Sequence, residues 1–197
     1  MAATQAEGPG PIVAELQAML DAAATQVREV GALLDPLDDA RLGWRPASDR
    51  WSIGEHIVHL VLTNRPYFGV LRASLARARE RGWTGAPPYR HSRLGDWFVR
   101  SMEPPPRMRM RTLRRLVPPP AKGKDQVLAD FAQVQDDLAG LIREANGVDL
   151  GRATIRSPFL PLLKLTVAQA FAVILAHNRR HLWHARQVRQ NPAFPDD

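Results

Sequence analysis

His177 and His181 stand four residues apart, a spacing that puts two imidazoles on one face of a helix with their Cβ atoms about 5–6 Å apart. Two neutral imidazoles so placed can share a divalent cation. His184 continues the stripe, and Ala170 and Val173 lie on it as well, at the border of the apolar face carrying Val167, Phe171, Ile174 and Leu182. Any histidine-rich helix produces such a pair by chance, and no glutamate follows His177, so the His-Glu-x-x-His chemistry of a zinc peptidase is absent. A second cluster gives the pair its weight. His56 and His59 offer a third imidazole from another segment, and three histidines with one open position form a catalytic zinc pattern. Periodicity leaves both candidates open: His56 lies nearer the stripe of Ile53, Ile57, Leu60 and Leu71, and His59 lies on the side of Ser52, Glu55 and Leu62. The chain has no cysteine, so a metal must sit on His, Asp or Glu, and any thiol nucleophile must come from outside.

These residues need helices to hold them. Apolar positions from Ile12 to Leu34 recur at a helical period, predicting a first helix that the Asp35-Pro36 step ends. Ser52-Ile-Gly-Glu55 is a capping box, in which Ser52 and Glu55 satisfy each other's backbone amides. It predicts a second helix from Ser52 to about Arg81, with a kink at Pro66. Residues 82–123 carry Pro87-Pro88, Pro104 to Pro106 and Pro118 to Pro120 and read as a long Pro-rich connection with at most short helical pieces. Val127 to Ile142 at helical spacing gives a third helix over Asp125 to Ala145, closed by Asn146-Gly147. After Ser157-Pro158-Phe159, a second capping box at Thr166-Val-Ala-Gln169 opens a fourth helix running to about Gln190. With no strand pattern and no internal repeat, the expectation is an all-α chain, a single domain over residues 1–197, with residues 1–10 and 191–197 as flexible tails.

Composition narrows the class. At 197 residues, 45% apolar and 24% charged, the chain suits one globular core and neither a disordered nor a fibrous protein. The apolar run Ala170 to Ala176 is far shorter than the roughly 20 residues of a membrane span, and Met1 to Gly10 has no signal-peptide pattern, which points to the cytoplasm. A net charge of +7 with a basic stretch from Arg107 to Arg115 suits solubility, acidic small molecules or nucleic acid. Nucleic acid is the least favoured partner, because the stretch lies among prolines and matches no recognition motif.

Two segments, WSIGEHIVHL at residues 51–60 and AHNRRHLWHARQVR at residues 176–189, resemble the signature motifs of the DinB/YfiT-like superfamily of metal-dependent enzymes. The resemblance implies a four-helix bundle with a long crossover connection between helices two and three. It maps the metal ligands onto His59, not His56, and onto His177 and His181. Asn178 stands where an aspartate is expected and His184 where many members carry glutamine, which affects only the surroundings of the ligands. Glu55, one turn before His59, is a candidate to orient that imidazole, although its capping role is the simpler reading. Arg180 is a candidate to face a bound anion or an acidic residue of the third helix, and Trp51 and Trp183 read as core residues.

The implied cofactor is one divalent metal, zinc first, with nickel, manganese and iron also suited to imidazole. Such a metal brings a bound water to a pKa of roughly 7 or turns a bound thiol into thiolate. Hydrolysis or S-transfer from an external low-molecular-weight thiol to a small-molecule substrate follows. S-transfer stands slightly ahead, because hydrolysis also wants a base that the sequence does not identify. The alternative is a non-catalytic metal-binding or stress-related interaction protein, its metal closed off by His184 or His56. A homodimer is compatible with such bundles.

Overall fold

The structure is a computed structural model and describes residues 10–106 and 112–195. Four long helices carry the molecule: α1 (Ala14–Leu34), α3 (Ile53–Glu80), α5 (Lys124–Glu144) and α6 (Val167–Arg189). Short α2 (Asp39–Gly43), α4 (Arg93–Met102), a 3-10 turn at Arg114–Leu116 and the strands β1 (Thr154–Arg156) and β2 (Lys164–Thr166) join them. α3 packs on α5 and α6, and α1 packs on the same two helices, so the fold is a four-helix bundle. One contiguous core lies between them, with Leu16, Ile57, Leu71, Phe131, Leu138 and Phe171 fully buried. No described helix is long and apolar enough to cross a membrane.

The helix starts follow the expected chemistry. Ser52 caps α3, its Oγ accepting from the Glu55 amide at 3.1 Å while Glu55 Oε2 accepts from the Ser52 amide at 2.8 Å. Thr166 and Gln169 make the same reciprocal pair at the start of α6. Pro66 sits inside α3 without ending it. Gly54 serves close approach: a Cβ there would lie 2.6 Å from Ala121 Cβ and 2.9 Å from Leu42 Cγ, so only glycine lets α2 and the end of the connection press on the first turn of α3.

Three expectations change. The connection holds a true helix, α4, capped by Ser92 and laid on α6, where Gln169 Nε2 donates to Ser92 O and Asp96 Oδ1. An antiparallel hairpin pairs Thr154 with Thr166 and Arg156 with Lys164; its strands are too short to show an alternating pattern, and it delivers the chain into α6. Residues 191–195 are docked, because Phe194 is buried against Trp44 with ring centroids 5.2 Å apart. Residues 1–9, 196–197 and the part of the basic stretch at 107–111 lie outside the described residues.

Candidate metal centre

α3 and α6 pack side by side, and their faces bring His59, His177 and His181 together with one ligating atom from each within 4.8 Å of the others. Three zinc–nitrogen bonds of about 2.0–2.1 Å at tetrahedral angles place the nitrogens about 3.3–3.4 Å apart, so side-chain adjustments of up to about 1.4 Å between ligand atoms bring the set around a cation. Local hydrogen bonds fix which nitrogen is on offer. His59 Nδ1 lies 2.8 Å from the carbonyl of Leu116, which can only accept, so Nδ1 carries the proton and Nε2 keeps the lone pair. His181 Nδ1 is engaged at 3.1 Å by His56 Nδ1, which likewise leaves His181 Nε2 for a ligand.

The imidazoles are held neutral, the form that binds a metal. Burial, then the charges of His59 and Arg180, pushes His177 down to about 3. Burial, then His184 and His59, pushes His56 down to about 3. His181 is driven well below its ordinary value by burial and its four imidazole neighbours. Burial lowers His59, against the raising effect of its bond to Leu116, and also lowers His184, helped by Arg180 and Arg50. His177 is half-buried to solvent only because it lines a cavity; protein surrounds it on the other sides.

That cavity has a volume of about 780 Å³ and is walled by the connection through Leu113, Leu116 and Val117, by α4 through Phe98 and Met102, and by Phe159. The three histidines sit on its wall together with His56, His184 and Arg180. Among the described residues, Asp49 is the only carboxylate lining it, 3.9 Å from Arg50. Arg180 is buried and donates from Nη1 to Ser101 O at 3.0 Å, and its neighbour Arg179 bonds Glu103, so α6 grips the end of α4 beside the cavity.

Two sequence candidates lie elsewhere. Glu55 is no partner of His59: both of its oxygens are taken by Arg45, one of them also by the Ser52 amide, and the His59 Nδ1 proton goes to Leu116. Asn178, one step past His177, is turned by the helix into the bundle. There Asn64 donates to it at 3.0 Å, it donates to Gln26 at 2.8 Å, and Gln26 donates to Leu175 O. Two contributors escaped sequence reading. Trp51 is no plain core residue, because its ring lies 4.8 Å from that of His59 and 5.9 Å from that of His181, on the cavity wall. The Leu116 carbonyl belongs to the backbone, which no residue type betrays. Trp183 lies half-buried, edge-on to His184.

No curated protein matches the chain. Among solved structures, the fold is similar to YfiT from Bacillus subtilis, described as a probable metal-dependent hydrolase with an unusual four-helix bundle topology. The two share 13% identity with a TM-score of 0.60, over 95% of this chain and 94% of that one. The sequence pattern of the DinB superfamily matches residues 13–185. With that span covering α1, α3 and α5, α6 as far as Ala185, and every histidine of the cluster, the chain belongs to the DinB superfamily.

Proposed function

We propose that this protein is a metal-dependent enzyme acting on a small molecule, with one divalent cation held by His59, His177 and His181. The observation that carries this reading is the cluster of three neutral imidazoles, drawn from two helices, on the wall of a cavity large enough for a drug-sized ligand. When bound, a divalent cation supplies Lewis-acid activation of a water or a thiol. His56 and His184 stand outside the three-histidine set, which favours a centre with a position open to the cavity over a closed, non-catalytic one. Zinc is the first choice for such donors.

Of the two chemistries, we favour S-transfer from an external low-molecular-weight thiol. Among the described residues the only carboxylate on the cavity wall, Asp49, is exposed and sits beside Arg50, so no carboxylate is well placed as a base for water attack. Thiol transfer asks the chain only to bind, orient and exclude water, and the apolar wall from Phe98 to Phe159 suits an apolar electrophile. Arg180 supplies positive charge for an anionic group of the substrate or thiol. Hydrolysis is the second reading, favoured by the description of YfiT as a probable metal-dependent hydrolase.

Metal analysis of the purified protein tests the first part, with about one ion per chain expected and less than a tenth of that in His177→Ala. A conjugation assay with added thiol and an alkylating electrophile, run beside an esterase and amidase screen, tests the second. Turnover lost in His177→Ala supports the reading; turnover retained by chelator-treated protein or by that variant overturns it.

A further inference from the structure

His56 is excluded from the three-histidine set, yet it is the group that meets the back of one member. Its Nδ1 lies 3.1 Å from Nδ1 of His181. Two imidazole nitrogens at that distance require one N–H and one lone pair. If His181 presents Nε2 to the cation, its Nδ1 carries the proton, and His56 must accept on Nδ1 while bearing its own proton on Nε2. Neighbouring rings hold His56 in this orientation, since it is stacked on His184 with centroids 5.5 Å apart and planes at 10°, and it meets Trp51 edge-on at 5.3 Å.

Resting on the metal-site reading above, we infer that His56 is a positioning residue that selects the tautomer of His181 and aims its Nε2 at the cation through the bond between the two Nδ1 atoms. The parallel with His59 supports it, since there the Leu116 carbonyl takes the same proton from the same ring atom. Metal-bound imidazoles regularly donate their second N–H, and removing the acceptor weakens metal binding about 10- to 100-fold. Both acceptors here are neutral. A carboxylate acceptor would push negative charge toward the cation, whereas an imidazole and a carbonyl leave its full charge for an anionic ligand such as a thiolate.

Two substitutions separate hydrogen bonding from packing. His56→Asn places an acceptor oxygen where Nδ1 stands but loses the ring; His56→Phe keeps a ring beside Trp51 and His184 but has no acceptor. Cobalt titrations of the full chain, followed by the visible d–d bands, should show binding weakened about 10- to 100-fold in His56→Phe and only a few-fold in His56→Asn. The reverse order, or wild-type affinity in the Phe variant, overturns the inference while leaving the metal site standing. Failure of the wild-type protein to bind cobalt or zinc removes the metal site and this inference with it. Should the Phe variant not fold, long-range proton–nitrogen correlation spectra of the zinc-loaded wild type decide. Protons on His181 Nδ1 and His56 Nε2 are expected, and a proton on His56 Nδ1 overturns the assignment.

Discussion

Crowding five imidazoles into one corner of the bundle makes the metal-free protein acid-sensitive at an unusually mild pH. His56 and His177 are held neutral down to about pH 3, and His181 is depressed as well, in each case chiefly by burial. The folded state therefore binds fewer protons than the unfolded chain, in which histidine titrates near 6.5. Stability from these groups is complete above about pH 6.5 and is lost as pH falls, continuing toward the depressed folded values. Each such histidine lowers the unfolding free energy by about 1.4 kcal/mol per pH unit below 6.5. Three of them together remove about 4 kcal/mol between pH 8 and pH 5.5, a large share of the roughly 5–15 kcal/mol that a domain possesses. Urea unfolding of chelator-treated protein, followed by circular dichroism between pH 8 and 5.5, measures this before most carboxylates begin to titrate. His177→Ala should shed about one proton's worth of the slope. A wild-type dependence of less than one proton between pH 6.5 and 5.5, or an unchanged slope in the variant, would refute the reasoning.

Because the same imidazoles are already unprotonated in the folded protein, zinc binding at pH 6 should displace less than one proton from them; calorimetry in buffers of different ionisation enthalpy counts it. Asn178→Ala strands the Asn64 amide and the Gln26 carbonyl inside the bundle and should cost about 2–5 kcal/mol by chemical denaturation, with cobalt affinity little changed. Gly54→Ala forces its new methyl against Ala121 and Leu42 and should cost about 1–3 kcal/mol, read as a lowered unfolding midpoint.

Much of this molecule is written locally in its residues. The two capping boxes mark the starts of α3 and α6 because a Ser or Thr and a Glu or Gln three residues on satisfy amides that nothing else can reach. The His177 and His181 pair follows from helical spacing alone. The choice between His56 and His59 does not, since both faces of α3 are buried there and each imidazole meets α6. Only the motif resemblance favoured His59. Helix α4 lies inside a proline-rich stretch that reads as a connection, although Leu94, Trp97, Phe98 and Met102 recur at helical spacing and Ser92 with Asp96 in the first turn was a readable start signal. Asn178 misled by adjacency: one residue along a helix is about 100° around it, which carried the side chain from the cavity into the bundle.

The grip of Leu116 on His59 has an evolutionary corollary. Since the gripping atom is a peptide oxygen, the hold on His59 depends on the shape of the 3-10 turn, and the side chain at 116 answers only to the cavity it lines. Related chains should therefore tolerate exchange of one apolar residue for another at 116 while resisting insertions or deletions in the turn. Loop length, rather than letter, is where selection on this histidine corner ought to be sought.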